Sequence, residues 1–274
     1  MRKTTYGILV CMLLAFAMIA GCGGKDTESE NAQGEDTKTK LVIGTSSVSK
    51  DLAESGREEL ENMGYEVEIM VFDDYVLPND ALVEGSIDAN FYQHEPYMDN
   101  YNQSNNTEIV MLSPKLYNYY SGLYSTKADT IEDLPDGGSI GIAEDPSNIN
   151  EQLKQLEEAG VIKLSEEPSS GEFYTFADVV ENPHGYEFAT GDGNKNKNMD
   201  DYACLIGTSN TMATAGVDPT QHLLMKFVDN DLAEGICVMK ENQDTQWAKD
   251  IMTAYTSESA RAKVPASSGF EPAE

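Results

Sequence analysis

The residues best placed to do chemistry in this chain are aromatic. Between Asp74 and Met98 the run DYVLPNDALVEGSIDANFYQHEPYM carries Tyr75, Phe91, Tyr92, His94 and Tyr97, and Tyr117, Tyr119 and Tyr120 follow. Rings of this kind can enclose an apolar or thioether group, each sulfur–aromatic contact adding about 0.3–1.5 kcal/mol. Core packing is the competing use for Phe91 or Tyr92, because alternate strand residues face opposite ways. His94 fits either a site or a plain core role. Covalent chemistry finds no support. There is no G-x-S-x-G elbow and no glycine-rich phosphate loop, and Cys204 and Cys237 have no histidine beside them in sequence. His94, His184 and His222 lie far apart without paired spacing, and the acids are unclustered. Neither a metal nor a cofactor is expected. The pattern points to recognition of a small molecule and not to an enzyme.

Recognition residues need elements to hold them. Lys40–Gly44 reads as a buried strand, and a polar turn at Thr45–Ser49 leads into a helix over Lys50–Asn62. Tyr65–Phe72 and Ile87–Tyr92 are the next strands, with a helix at Asp80–Glu84 between them. This β-α-β-α-β rhythm predicts a parallel sheet with right-handed crossovers. Ligands bind such sheets at the carboxyl ends of the strands. Glu108–Leu112 is a fourth strand, and the extended run Tyr117–Tyr124 is a crossing to a second lobe. That lobe is expected to hold a helical turn at Ile131–Leu134, strands at Gly138–Ala143 and Ala203–Gly207, and helices at Ser147–Gly160 and Asn210–Gly216. Asp192–Asp201 reads as a surface loop. His222–Val228 and Gly235–Met239 carry the chain back, and Gln246–Arg261 is a terminal amphipathic helix. Lobe 1 is thus expected over 41–120 and 229–274, and lobe 2 over 121–228.

The ends and the charge set the location. Arg2 and Lys3 precede an apolar run, Ile8–Ile19, too short for a stable membrane span. Ile19-Ala20-Gly21-Cys22 resembles a lipobox, so residues 1–22 read as a signal peptide and Cys22 as a lipidation site, palmitate among its acyl chains. Residues 23–40 hold no apolar side chain larger than alanine and read as a flexible linker. The expected location is the extracytoplasmic face of the cell membrane. A formal net charge of −30 repels nucleic acid and anionic lipid. Cys204 and Cys237 sit in apolar runs and read as buried free thiols, with a disulfide as the alternative.

The motif VLPND-AL-x-x-G-x-IDANFYQHEPYM resembles the signature of the NlpA/MetQ-type lipoproteins, the methionine-binding components of ABC importers. LPDGGSIGIAEDPSN (Leu134–Asn148), LEEAGVIKL (Leu156–Leu164), VVENPHGYEF (Val179–Phe188) and the block at Asn210–Pro219 extend the likeness over most of the chain beyond the linker. The resemblance implies an α/β fold, a two-lobed type II periplasmic-binding-protein-like clamshell with two hinge crossings. It implies methionine or a related amino-acid-like ligand between the lobes, ABC permease and ATPase partners, and a monomer. It also implies that Tyr75, Phe91 or Tyr92, and His94 enclose the ligand side chain; Tyr117 is a further ligand-binding candidate from its place at a predicted cleft edge. Asn148 and Asn210 match family asparagines that contact the amino-acid backbone, though both could be helix caps.

The chain departs from the family where a ligand carboxylate would sit. The usual partner is a bidentate arginine. The family has one at the start of the helix after N-D-P-S/T-N, where this chain has Glu151. Beyond Arg2 the arginines are Arg57 and Arg261, neither in the expected second lobe. Thr208 stands where a family asparagine is expected. Three accounts fit. Lys127, Lys154 or the amides at the Ser147 helix start hold the carboxylate; Glu151 faces solvent; or the ligand is cationic or carboxylate-blocked. A surface or signalling lipoprotein that kept the fold without transport is the other class.

Overall fold

The computed structural model describes residues 38–273. The signal peptide, the lipidation site Cys22 and nearly all of the expected linker lie outside the described residues. The end of that linker is docked. Lys38 Nζ is 2.7 Å from Asp88 and 5.7 Å from the centre of the Trp247 ring.

In lobe 1, β1 (Lys40–Ser46) pairs in parallel with β2 (Glu66–Phe72) on one side and β3 (Ala89–His94) on the other. Leu41, Ile43, Leu52, Leu60, Phe91, Ile251 and Tyr255 pack as one core. The crossover after β1, expected as one helix, is two: α1 (Lys50–Ser55) and α2 (Arg57–Asn62). Gly56 sits at the break, and a Cβ there would lie 2.8 Å from the Tyr255 ring. The next crossover is α3 (Leu77–Val83), with Pro78 in its first turn, where a missing N–H is tolerated.

β3 runs on to His94, past the Tyr92 end expected from sequence, and α4 (Glu95–Asn105) follows directly. This helix was not legible. Its cap is the His94 ring, which accepts the Tyr97 N–H at 3.2 Å, and histidine is not one of the usual capping residues. β4 (Ile109–Met111) and β5 (Tyr117–Asn118) complete the outward path, and Tyr119 carries the chain into the second sheet.

Lobe 2 contains β6 (Tyr120–Tyr124), β7 (Ser139–Ile142), α5 (Pro146–Glu158), a short pair β8 (Lys163–Leu164) and β9 (Val179–Glu181), β10 (Glu187–Thr190), β11 (Cys204–Thr208), α6 (Ser209–Thr214) and β12 (Leu223–Val228). Its sheet runs β10-β7-β11-β6-β12, parallel for the first three strands and antiparallel for the last two. The expected helical turn at Ile131–Leu134 is only a turn. The polar insertion is not a loop lying clear of the fold. Gly193–Asp201 winds as 3-10 turns, Met199 is buried, and the Asn196 amide donates to Thr211 Oγ1 at 2.9 Å.

The chain returns through β13 (Glu234–Met239), antiparallel to β3, β4 and β5. The expected single terminal helix is α7 (Gln246–Tyr255) and α8 (Glu258–Lys263), separated where the Ser257 hydroxyl caps α8. β14 (Glu271–Pro272) lies beside β5. Cys204 in lobe 2 and Cys237 in lobe 1 are buried free thiols, not a disulfide. Among the described residues no helix is long and apolar enough to cross a membrane.

Phe91 is fully buried, with its ring edge-on to Tyr255 at 5.5 Å. Truncating such a side chain costs roughly 3–5 kcal/mol. Phe91→Ala is therefore expected to lower the thermal unfolding midpoint by roughly 10 °C, read by circular dichroism. An unchanged midpoint would mean that this ring does not carry the lobe 1 core.

Candidate functional site

The carboxyl ends of the parallel strands in both sheets point into one cleft, and the loops there line it. Lobe 1 supplies Val48 and Ser49 after β1, Tyr75 after β2, and Tyr92, Gln93, His94 and Tyr97 at the end of β3. Lobe 2 supplies Glu144, Asp145, Asn148 and Gln152 after β7, Asp192 after β10, and Thr208, Asn210 and Thr211 after β11. Tyr119 and Glu234, one at each crossing between the sheets, complete the lining. The cavity with its mouth is about 710 Å³, within the range of small-molecule sites.

Three tyrosines form a wall. The hydroxyls of Tyr92 and Tyr97 both donate to the carbonyl oxygen of Tyr75 at 2.8 Å. The Tyr75 and Tyr92 rings are near parallel, 6.4 Å apart, and Tyr97 stands edge-on to Tyr92 at 6.1 Å. Burial raises the hydroxyl pKa of all three, so they stay neutral. With two hydroxyls tied down, the wall offers ring surface. Such surface suits a thioether or a cation.

His94 bridges the lobes. Its Nδ1 accepts the Tyr97 N–H, so the ring proton sits on Nε2 and donates to Asn148 Oδ1 at 3.1 Å. Asn148 Nδ2 in turn donates to Asp145 Oδ2 at 2.8 Å, and Asp145 Oδ1 caps α5 through the Asn148 N–H at 3.0 Å. Burial lowers the His94 pKa more than its neighbours raise it, so the ring is neutral.

Glu234 is the deepest acid of the cleft, 4% exposed. The Ser49 hydroxyl donates to its Oε2 at 2.9 Å, and its Oε1 accepts no hydrogen bond among the described residues. Burying a carboxylate costs several kcal/mol, whereas one hydroxyl returns about 0.5–1.5 kcal/mol. Desolvation wins, and the carboxyl pKa is pushed up to about 8. Glu144, Asp145 and Asp192 also line the cleft, and no lysine or arginine does among the described residues. Lys197 lines an adjoining depression with Asp73, Asp74, Glu144 and Asp192.

Of the residues expected from sequence, the cleft brings together Tyr75, Tyr92, His94, Asn148, Thr208 and Asn210. Phe91 and Tyr117 are not among its lining. Strand alternation turns Phe91 away from Tyr92 into the lobe 1 core, where Tyr117 packs against it at 6.3 Å. Glu151 is also outside the lining. Its Oε1 accepts from Lys154 Nζ at 2.9 Å and from Asn150 Nδ2 at 2.7 Å. Lys154 is thereby paired outside the cleft. Sequence reasoning missed Ser49, Gln152, Asp192 and Glu234. A lone acid opening the apolar run GICVM was the available signal for Glu234.

A family model described as NlpA lipoprotein matches residues 41–269. This chain belongs to the NlpA lipoprotein family. Among NlpA-family relatives, the D-methionine-binding lipoprotein MetQ of Salmonella typhimurium is 28% identical, over 90% of this chain and 89% of that protein. An ABC transporter periplasmic substrate-binding protein from Coxiella burnetii superposes with a TM-score of 0.77 at 27% identity, covering 85% of this chain and 100% of that one. A nutrient-binding protein from Burkholderia cenocepacia, solved bound to methionine, gives a TM-score of 0.74 at 27% identity, covering 85% of this chain and all of that one. The NlpA family is one of substrate-binding proteins.

The raised Glu234 pKa has a consequence for ligand-free stability. Unfolded, this carboxyl ionises near 4.5; folded, near 8. Between these values the folded state holds the extra proton, so the contribution of Glu234 to stability falls as pH rises from about 4.5 to about 8. Glu234→Gln is expected to match the wild type near pH 4 and to exceed it increasingly toward pH 8. Denaturant unfolding across that range measures the difference, and parallel curves would place Glu234 in water.

Proposed function

We propose that this chain is a lipid-anchored solute-binding component of an ABC importer, held at the extracytoplasmic face of the cell membrane through Cys22. It captures methionine or a related small amino-acid-like ligand between its two lobes and delivers it, as a monomer, to permease and ATPase subunits. The observation that carries this reading is the tyrosine wall of Tyr75, Tyr92 and Tyr97 facing Asn148 and Asn210 across the cleft. The lipobox-like Ile19-Ala20-Gly21-Cys22 supports the anchor. The methionine named for the relatives from Salmonella typhimurium and Burkholderia cenocepacia supports the ligand class. The mechanism is capture. Closed-state contacts that the ligand makes with both walls favour the closed form, and that form docks on the transporter. No covalent step is required of these residues.

One observation favours a second reading of the ligand. The lining carries Glu144, Asp145, Asp192 and Glu234 but no lysine or arginine among the described residues. A free carboxylate entering this cleft meets acids and finds only hydroxyls and amides to hold it. A cationic or carboxylate-blocked relative of an amino acid suits the charge better.

A thermal-shift series on the full chain in detergent separates the two. A ligand present at 100 times its dissociation constant adds about 2.7 kcal/mol to stability. A shift with L-methionine supports the first reading, and a larger shift with methionine methyl ester supports the second. If no amino acid, amine or thioether moves the midpoint, small-solute capture is wrong. Glu151→Gln is expected to change the affinity of the best ligand by less than about twofold, since its carboxylate is spent on Lys154 and Asn150.

A further inference from the structure

The acids of the cleft are not equivalent. Both Asp145 oxygens are occupied by groups of its own helix, Oδ1 by the Ser147 hydroxyl and the Asn148 N–H and Oδ2 by the Asn148 amide. Glu144 is exposed, and Asp192 is half-buried and already engaged within the fold. Glu234 alone combines near-complete burial with a carboxylate oxygen that no described residue satisfies. It stands at the first residue of β13, opposite His94 on β3 and Tyr117 on β5. That is the place where the chain passes from lobe 2 back to lobe 1, at the back of the cleft.

Among the described residues no cation is set to meet it. The titratable groups around it are His94 and Tyr117 on the flanking strands, Cys237 on its own strand, and Tyr75 and Tyr119 from the cleft wall. Across the cavity are Glu144, Asp145 and Asp192. His94 is held neutral by burial. Lys115, next to the Leu116 that bonds the Glu234 carbonyl, is committed to Glu95 at 3.0 Å and to the carbonyl of Asp231 at 3.1 Å. A buried acid with one open oxygen, in a cavity whose described lining holds no lysine or arginine and only a neutral His94, lacks a positive partner.

We propose that Glu234 is the ammonium-binding residue of this cleft: its Oε1 accepts the N–H groups of a protonated amine on the ligand, while Tyr75, Tyr92 and Tyr97 enclose the ligand's apolar body. The inference rests on the second reading of the ligand given above and names the residue that enforces it. The ligand class is a small amine with an apolar or thioether tail and no required carboxylate. Binding is coupled to a proton. The ligand-free acid, neutral near pH 7 with its pKa pushed up to about 8, gives its proton to solvent as the cation arrives. Affinity for the amine therefore rises with pH, by up to about tenfold per unit below pH 8.

The test is isothermal titration of the full chain in detergent with three probes of one skeleton. These are L-methionine, methylthiopropylamine (methionine without its carboxylate) and methylthiobutanoate (methionine without its amine). The expected result is that methylthiopropylamine binds more tightly than methylthiobutanoate. Its binding at pH 7 should release protons, read as a heat that depends on the buffer's ionisation enthalpy. Glu234→Gln should weaken the amine at least tenfold and abolish the proton release, and Glu234→Asp, which keeps the charge, should weaken it less. Binding of the amine to Glu234→Gln within twofold of the wild type overturns the role of Glu234 while leaving the ligand class intact. Amine binding to the wild type without proton release overturns it as well, even where the glutamine variant fails to fold. Methionine and the acid binding while the amine does not would overturn the cationic reading together with this assignment.

Discussion

The His94 ring is fixed by one hydrogen bond at each nitrogen, and much of the site follows from that. One nitrogen caps α4 and so sets the direction in which the chain leaves β3. The other reaches Asn148 on α5 and so spans the two lobes. Because Nδ1 must accept, Nε2 must donate, and the tautomer is settled by the backbone rather than by any ligand. The asparagine orientation follows in turn, since Oδ1 faces the imidazole and Nδ2 faces Asp145. Tyr97, whose N–H supplies the capping bond, returns its hydroxyl to the Tyr75 carbonyl and ties the wall to the same helix. A change at position 94 would release a helix start, a lobe contact and an aromatic wall together.

Behind this ring lies a second set of saturated polar groups. The Gln93 amide exchanges hydrogen bonds with Asn79 and Asn90, all three nearly or fully buried. Amides paired in this way are spent, and they stiffen the floor on which β3 presents Tyr92 and His94. Other groups at the cleft keep unused capacity. Glu234 Oε1 is one; the Asn210 Nδ2, which makes no hydrogen bond to the described residues, is another. Selectivity in such a cavity resides in atoms of this kind, which a ligand can still engage.

The parallel frame of lobe 1 was legible because its strands are short runs rich in aliphatic and aromatic residues separated by helical spacing. The second lobe's strands at Ser139–Ile142 and Cys204–Thr208 were legible for the same reason. Glu187–Thr190 was not, since an edge strand with exposed ends carries less apolar signal. Helix breaks at Gly56 and Ser257 were hidden for a different reason. Each depends on a contact remote in sequence or on a local cap, and periodicity continues across both. In the cleft, aromatic residues at strand ends announced themselves. Glu234 did not, because a single acid in an apolar run looks like a surface residue until the fold buries it. Glu151 showed the reverse: its sequence position suggested the ligand, but the turn of α5 gave it to Lys154.

The two thiols follow from the two-lobed plan and mark it. Cys204 lies at the start of β11 in a hydrophobic cluster of lobe 2 and Cys237 within β13 in a cluster of lobe 1, and burial pushes both thiols well above their ordinary pKa. Neither can react as thiolate while its own lobe is intact. Each is therefore a built-in clock for the transient opening of one lobe. If the lobes open as separate cooperative units, a thiol reagent will find the two cysteines at two rates, and a ligand that clasps both walls will slow the pair toward a common one.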